Sequence, residues 1–131
     1  MIGVDLIKDR ATLEAAYNDA GGVTAAFNLN LLDRINRELG GDIDVSRFTH
    51  RAVWNPDGGR VEMHLVATED LAFTVAGRRF SMEAGETIYT EDSHKYDPED
   101  FAALCAEAGF TRRELWTDTR ERFSVQVFEA A

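Results

Sequence analysis

The segment Thr90–Tyr96 reads Thr-Glu-Asp-Ser-His-Lys-Tyr and carries the densest group of side chains that could do chemistry. It follows a strand-like run and precedes a helix start. Side chains of a strand alternate between two faces, so Tyr89, Glu91 and Ser93 are predicted to line one face where the strand ends and a loop begins. A carboxylate and a hydroxyl so spaced can share hydrogen bonds with one small polar ring or amine. A solvated strand end leading into a helix cap explains the same spacing, and both interpretations stay open.

The bulk composition is that of an ordinary globular protein, with 44% hydrophobic and 29% charged residues in a chain of 131. Its 24 acidic residues outnumber the 14 basic ones and give a net charge of −10. That field repels phosphate backbones and anionic lipid surfaces, so we expect neither nucleic acid nor membrane as a partner. A single cysteine, Cys105, allows no internal disulfide and is most simply a small buried hydrophobe. We expect a cytoplasmic protein.

The first forty residues predict one strand and two helices. Met1–Ile7 reads as a strand with apolar side chains on both faces, which is typical of a strand covered on both sides in a parallel sheet. A chain that starts within such a strand indicates a piece of something larger. Asp9 is predicted to cap a short helix that runs through Tyr17. A longer helix is predicted from about Val23 to Leu39, ending at Gly40.

The longer helix has a predicted apolar ridge and two polar residues beside it. At 100° per residue, Thr24 and Asn28 fall inside the apolar arc, so we expect them to be buried and to need hydrogen-bond partners. Bonds to their own helix backbone are an equally open explanation. The ridge consists of Val23, Phe27, Leu31, Ile35 and Leu39.

The middle of the chain changes to a period of two and predicts an antiparallel meander. Met63 shares the inward face of its second strand with three aliphatic residues, where a methionine is more often a core filler than a ligand contact. The predicted strands are residues 49–55, 60–68, 71–76, 78–83 and 86–91.

The last third predicts a helix followed by a hairpin. Pro98 opens the helix and Gly109 ends it, and strands are predicted over 111–118 and 122–129. Such an ending is common in nucleotide-type α/β sheets. The predicted fold class is therefore α+β, with an antiparallel sheet and helices in the middle and the end of an α/β sheet around them.

Six segments in order carry a family resemblance. Together they resemble the C-terminal part of the histidine-specific, S-adenosylmethionine-dependent Nα-methyltransferases of ergothioneine biosynthesis, and the resemblance covers essentially all 131 residues. The segments are Asp5–Asp9, Ala16–Asp19, Gly22–Asn30, Asn36–Leu39, Glu62–Leu65 and Glu91–Tyr96.

The resemblance implies a domain division. In that family a doubly wound, Rossmann-like methyltransferase sheet is interrupted after its fifth strand by a substrate-recognition insert. Residues 1–7 resemble the fifth strand, residues 8–96 the insert, and residues 97–131 the closing helix and hairpin. The reaction it implies is methyl transfer from S-adenosylmethionine to the α-amine of L-histidine, although a related amino acid, such as a tryptophan derivative, stays open as the substrate.

The resemblance also assigns substrate-binding residues. Glu91 aligns with the family's acidic residue that hydrogen-bonds the substrate imidazole, and Ser93 with its hydroxyl partner. Pocket positions align with Tyr17, Thr24 and Met63. A carboxylate suits this role because it favours an imidazole N–H and holds a chosen tautomer or an imidazolium.

The part of the family that binds the cofactor has no counterpart in this sequence. No G-x-G-x-x-G fingerprint occurs. No cofactor-binding or catalytic residue is therefore assigned, and we expect the chain alone neither to bind S-adenosylmethionine nor to methylate histidine. The enzymatic status of the chain alone stays open, whereas the parent enzyme is expected to be an N-methyltransferase.

Two other functions are weighed against the fragment of an enzyme. One is a stand-alone, non-enzymatic binding or interaction domain. The other is a metal site among Glu91, Asp92, His94 and His64, which strand parity disfavours because it scatters these residues over both faces. No metal ligand is assigned, and His50 carries no signal above that of a surface or strand-edge residue.

We also expect self-association. If the resemblance holds, strand 1–7 neighbours strand 122–129, which neighbours strand 111–118. The other side of strand 1–7 would then present unpaired backbone groups beside apolar side chains, and such edges recruit another strand. A homodimer or larger assembly through residues 1–7 is the predicted consequence.

Overall fold

The computed structural model describes residues 1–130, so Ala131, the last residue of the predicted closing segment, lies outside the described part. Three α-helices combine with three antiparallel sheets, which agrees with the α+β class. Among residues 1–130, no helix is long and apolar enough to cross a membrane. The helices are α1 (Arg10–Tyr17), α2 (Val23–Leu39) and α3 (Pro98–Glu107), and the strands are β1 (Ile2–Asp5), β2 (Phe48–Asn55), β3 (Arg60–Ala67), β4 (Leu71–Val75), β5 (Arg78–Met82), β6 (Thr87–His94), β7 (Phe110–Thr117) and β8 (Phe123–Ala130).

Local sequence sets the helix ends as predicted. The Asp9 carboxylate accepts a hydrogen bond from the Thr12 N–H at the start of α1. Gly40 adopts the left-handed conformation, at φ 62°, and ends α2. Pro98 occupies the first turn of α3, where its missing N–H costs nothing.

The first sheet has the strand order β1-β8-β7, which is the order that the family resemblance implies. Val4 lies opposite Ser124 in an antiparallel ladder. Within residues 1–130, β1 pairs with β8 in an antiparallel ladder, and a single bridge from Leu6 to Tyr96 is parallel. Tyr96 donates its N–H to the Asp5 carbonyl and accepts from the Ile7 N–H, so it already covers the far side of the chain at residues 5–7.

The middle of the chain is not the continuous meander that the sequence predicts. β3 lies at the centre of the sheet β2-β3-β6, whereas β4 and β5 form a separate two-stranded sheet between β3 and β6 in sequence. This hairpin leaves the sheet because its apolar residues, including Phe73 and Met82, pack with Leu32 of α2 and Leu65 of β3. The hairpin therefore extends the core below α2 rather than the sheet.

The packed face of α2 is rotated from the predicted ridge. Asn28 and Leu32 are the buried residues of this helix, whereas Val23 and Phe27 are 72% and 67% exposed. Asn28 donates to the Nδ1 atom of His50 at 3.0 Å and to the His64 carbonyl at 3.3 Å. Its partners thus lie in the sheet and not in its own helix, because a buried amide group needs partners wherever the packing places it.

Side chains of α1 and of its C-terminal cap, Asn18, dock this helix against the edge of β2. The Asn18 amide donates to the Ala52 carbonyl and accepts from the Ala52 N–H, both at 2.9 Å. The Glu14 carboxylate accepts from the Trp54 N–H at 3.0 Å. An edge strand leaves such backbone groups without a ladder partner, so these side chains take the place of a further strand. They fix the end of α1, which carries Tyr17.

One expected packing role is only partly met. Cys105 of α3 is half-buried rather than fully buried. The helix packs on β8 through the buried Phe101, which contacts the Phe128 ring edge-on, whereas Leu104 beside Cys105 is 49% exposed.

We predict that Asn18→Ala destabilises the protein by about 1–3 kcal/mol, because it leaves both backbone groups of the buried Ala52 without partners. Urea unfolding followed by circular dichroism measures this change. Asn30→Ala, at an exposed position of α2, is the matched control and should change the free energy of unfolding by less than about 0.5 kcal/mol. Equal effects of the two substitutions would contradict the docking role of Asn18.

Candidate substrate-binding site

A buried lysine gathers two of the predicted site residues. The Lys95 side chain is 1% exposed, and its Nζ atom donates to the Tyr17 hydroxyl at 2.6 Å and to the Ser93 hydroxyl at 2.8 Å. Tyr17 in turn donates to Ser93 at 2.8 Å. The Lys95 ammonium also lies 4.8 Å from the centre of the Tyr17 ring, a distance that suits a cation–π contact. We call Asp5, Tyr17, Ser93 and Lys95 the lysine cluster.

Asp5 neutralises this cluster from the end of β1. Its Oδ2 atom lies 2.7 Å from the Lys95 Nζ atom, and Lys8 pairs with its other oxygen. Partial burial raises the pKa of the Asp5 carboxyl, but hydrogen bonds and charge from Lys8 and Lys95 outweigh burial, so the net pKa is below its usual value. The carboxylate is therefore held ionised, as a buried ammonium requires.

Met63 lies beneath the lysine cluster. It is 3% exposed and packs with Leu13, Ala52 and Val61, and the Tyr17 side chain packs against the same group. Its sheet position brings it directly opposite Glu91 in the β3–β6 ladder, and Val61 opposite Ser93. Met63, Glu91 and Ser93 consequently share the face of the sheet that α1 and α2 cover.

A β-bulge corrects the predicted face of Tyr89. The register shifts between Met63 and His64, so that Glu91 opposes Met63 whereas Tyr89 opposes His64, with Thr90 as the extra residue. Tyr89 stacks on the His64 ring at 5.1 Å, on the opposite face from Glu91. The strand β6 also continues to His94, past the end that the sequence predicts. Glu91 and Ser93 therefore lie within a strand, where their spacing is fixed by the ladder.

Glu91 has more open surroundings than Ser93. It is exposed and lines a shallow pocket of about 180 Å³ between α2 and β6. Phe27 and Leu31 provide apolar walls, and Arg34 and Asn28 provide polar ones. The carboxylate thus faces a mixed surface that could admit a small polar ring.

Thr24 makes its described hydrogen bond at a helix end instead of in the lysine cluster. Its N–H donates to the Asp19 carboxylate at 2.9 Å, and the Val23 N–H does the same. These bonds lower the pKa of the Asp19 carboxyl. The structure therefore brings together Tyr17, Met63 and Ser93, places Glu91 beside Met63, and leaves Thr24 at the start of α2.

The outer face of the sheet β2-β3-β6 holds the other residues of the metal hypothesis. His64 lies 3.4 Å from the Glu62 carboxylate, and His94 lies 3.6 Å from the Asp92 carboxylate. Glu91 points to the opposite face, as strand parity predicts. Within residues 1–130, no three His, Cys, Asp or Glu side chains are grouped closely enough to hold a metal ion.

Sequence reasoning missed three residues of this region. Lys95 and Asp5 lie in segments that carry the resemblance but have no predicted role, and His50 is predicted only as a surface or strand-edge residue. His50 is half-buried, and its Nε2 atom contacts the Tyr17 carbonyl at 2.8 Å. One signal was available for Lys95, since alternation places residues 91, 93 and 95 on one face. No local pattern could have pointed to Asp5, which lies about ninety residues away in sequence.

Comparisons with known proteins show the family to which this chain belongs. The chain belongs to the histidine-specific methyltransferase family: the family model described as "Histidine-specific methyltransferase, SAM-dependent" matches residues 1–130. The resemblance inferred from the sequence is confirmed.

Three curated relatives extend the match. Proteins named histidine N-alpha-methyltransferase from Mycolicibacterium smegmatis and Mycobacterium tuberculosis are each 43% identical over 129 residues, which is 97% of this chain and 40% of each relative. Ergothioneine biosynthesis protein 1 of Neurospora crassa is 32% identical over 120 residues, which is 89% of this chain and 13% of that protein. The chain therefore spans about two fifths of the bacterial relatives that it matches.

The cofactor of this family does not fit the residues described. A dinucleotide-type or methyl-donor site needs a glycine-rich turn between a strand and a helix, where the backbone approaches the ligand closely. Within residues 1–130, the glycines with positive φ lie outside any such turn: Gly22 and Gly40 flank α2, and Gly77 sits in the hairpin between β4 and β5. No residue described here is assigned to S-adenosylmethionine.

The lowered pKa of Asp5 predicts a specific acid sensitivity. Because the folded-state pKa lies below the ordinary value of 3.8, the ionised pair contributes stability above pH 3.8 and loses it as the pH falls through the folded-state pKa. We expect Asp5→Asn to destabilise the protein at pH 6 but to make the further loss of stability between pH 5 and pH 3 smaller. Urea midpoints at several pH values measure both effects, and identical pH slopes for the two proteins would contradict this role.

Proposed function

We propose that this chain is the substrate-reading part of an enzyme that methylates the α-amine of L-histidine with S-adenosylmethionine. Glu91, Ser93, Met63, Thr24 and Tyr17 are the proposed substrate-binding residues. The observation that carries the proposal is the family match over residues 1–130 together with the convergence of Tyr17, Ser93 and Met63 on one sheet face. In this proposal the described residues hold the imidazole ring, and the methyl donor is bound elsewhere in the enzyme.

The spacing of Glu91 and Ser93 supports recognition of a ring with two nitrogens. Two residues along a strand place their side chains about 6.7 Å apart on the same face. Two hydrogen bonds of about 2.8 Å on opposite sides of a five-membered ring can span that separation. Glu91 would accept from one ring N–H, while the Ser93 hydroxyl would contact the other nitrogen. Met63 and Tyr17 would form the floor and the deep wall.

We further propose that the two groups of elements keep the roles that the family resemblance implies. Residues 1–7 and the segment from residue 97 onward would belong to the Rossmann-like methyltransferase sheet, and residues 8–96 to the substrate-recognition insert. The separate sheets β1-β8-β7 and β2-β3-β6 are compatible with this division. Because the net charge of −10 does not suit binding to polyanions, we propose a small-molecule enzyme without nucleic-acid or membrane partners. We also propose that it is cytoplasmic, since its single cysteine suits a reducing compartment.

The alternative of a stand-alone, non-enzymatic binding domain has no support from the relatives. Both bacterial relatives are named as methyltransferases, and the chain aligns with part of each. We therefore retain the enzyme as the proposed function.

Glu91 is tested in a full-length enzyme that contains this segment. We expect Glu91→Ala to lower kcat/KM for histidine roughly ten- to a hundredfold, since a hydrogen bond to a charged group is worth about 1.5–3 kcal/mol. The same substitution should lower kcat/KM much less for a histidine analogue that has no ring N–H. Steady-state kinetics with both substrates measures the difference.

Asp92→Ala is the matched control because it removes a carboxylate from the opposite face of the same strand. It should affect both substrates alike and only slightly. If Glu91→Ala lowered kcat/KM equally for histidine and the analogue, Glu91 would be structural and the proposed ring contact would be wrong.

We also propose that the chain self-associates through the first residues of β1. Within residues 1–130, β1 has a ladder partner on one side only, and Tyr96 covers the other side from Asp5 onward. The remaining free edge lies at residues 1–4, where Ile2 is 45% exposed and Val4 is buried. Pairing of two such edges would cover backbone and apolar surface together.

Ile2→Lys tests this assembly without disturbing the core. We expect the unmodified chain to sediment as a dimer or larger species at high micromolar concentration and Ile2→Lys to shift it towards monomer, because a charge at an edge blocks pairing. Ile7→Lys is the control, since that position is half exposed but its backbone already pairs with Tyr96. A monomeric unmodified chain would refute the proposal.

A further inference from the structure

The Lys95 ammonium uses all of its donors inside the protein. A lysine ammonium has three N–H donors and no acceptor. Its three oxygen partners are Asp5 Oδ2 at 2.7 Å, Tyr17 Oη at 2.6 Å and Ser93 Oγ at 2.8 Å. These oxygens belong to β1, α1 and β6, which are distant in sequence. Lys95 is therefore unavailable to a ligand, and its effect on one must pass through the groups that it holds.

The hydrogen bonds determine what the two hydroxyl groups can still do. A serine hydroxyl has two acceptor sites and one proton. Ser93 accepts from Lys95 and from Tyr17, so both of its acceptor sites are filled. Tyr17 uses its own hydroxyl proton in the hydrogen bond that it donates to Ser93. One hydroxyl proton of the pair is left, on Ser93, and it is free to be donated to a ligand.

We propose that Lys95, held by Asp5, is a positioning residue that makes Ser93 an obligatory hydrogen-bond donor towards the substrate ring. The inference rests on the proposed function and deepens it. A ring read by Glu91 as acceptor and Ser93 as donor must offer one N–H and one nitrogen lone pair. The site would then select the neutral imidazole in a single tautomer, because an imidazolium has no lone pair for Ser93.

The same contacts explain why a lysine suits this position. A guanidinium directs its donors in a plane, whereas an ammonium directs three donors tetrahedrally. Lys95 can thus reach three oxygens on three elements at once. Only two lysines occur in the chain, Lys8 and Lys95, and both pair with Asp5. Lys8 makes no described hydrogen bond to Tyr17 or Ser93, so it provides a matched control.

The contacts themselves are tested by NMR of the chain labelled with ¹⁵N-lysine. The Lys95 ammonium should give a signal with slow hydrogen exchange, assigned by its loss in Lys95→Arg and its retention in Lys8→Met. Ser93→Ala should accelerate this exchange about tenfold, as expected for one lost charge-assisted hydrogen bond. Unchanged exchange in Ser93→Ala would overturn the proposed contact without reference to any substrate.

The effect on the substrate is tested by calorimetry of histidine binding to a full-length enzyme that contains this segment. Lys95→Met and Lys95→Arg should each weaken binding about tenfold or more, because neither side chain can hold both hydroxyl groups. Lys8→Met should leave binding within about twofold, because Lys8 pairs with Asp5 but makes no described hydrogen bond to Tyr17 or Ser93. In the Ser93→Ala background, Lys95→Met should add little further loss, since Lys95 acts through Ser93.

Three outcomes would overturn the role of Lys95: full binding by Lys95→Arg, equal losses in Lys8→Met and Lys95→Met, or additive losses in the double variant. The pH dependence gives a second measure. In the unmodified enzyme, histidine binding should weaken as the free imidazole is protonated below about pH 6.5. In Lys95→Met, histidine binding should depend less on pH. A full-length protein that binds no histidine at any pH would instead refute the proposed function, while the NMR result would still decide the ammonium contacts.

Discussion

The buried ammonium of Lys95 is the constraint on which the rest of the site depends. A charge removed from water is tolerated only when it is neutralised and fully hydrogen-bonded. Asp5 neutralises it from β1, and the hydroxyl groups of Tyr17 and Ser93 fill its other donors. The requirement ties together the end of β1, the end of α1 and the end of β6. Displacing any one of these elements leaves a charge or a donor unsatisfied, so the elements must keep their relative positions.

A second set of hydrogen bonds fixes α1 in the place that this cluster requires. Asn18 pairs with both backbone groups of Ala52, and His50 contacts the carbonyl of Tyr17. His50 also contacts Asn28, which anchors α2 to β3. Both helices therefore dock on the sheet β2-β3-β6 through polar groups as well as through Leu13 and Leu32. Such hydrogen bonds fix the orientation of the helices on the sheet, which apolar packing alone does not do.

The sequence predicted local structure better than it predicted contacts between distant residues. The cap at Asp9, the first-turn proline at Pro98 and the bounds of α2 follow from nearby residues, and they were predictable. The separate β4–β5 hairpin and the face of Tyr89 were not, because the first depends on packing below α2 and the second on one extra residue in a ladder. For the site, Tyr17, Met63 and Ser93 came from the resemblance, whereas Lys95 required the fold.

The two ends of the proposed ring site differ in how firmly they are held. Ser93 is fixed by bonds to two other side chains, so little conformational entropy remains for a ligand to remove there. Glu91 is exposed at the rim of a shallow pocket, and its side chain has more freedom to lose. In the proposed function, Ser93 would therefore set the orientation of the ring, and Glu91 would close on the N–H that this orientation presents. Ser93 would then select the protonation state of the ring. Its acceptor sites are filled, so it cannot accept a hydrogen bond from a second ring N–H.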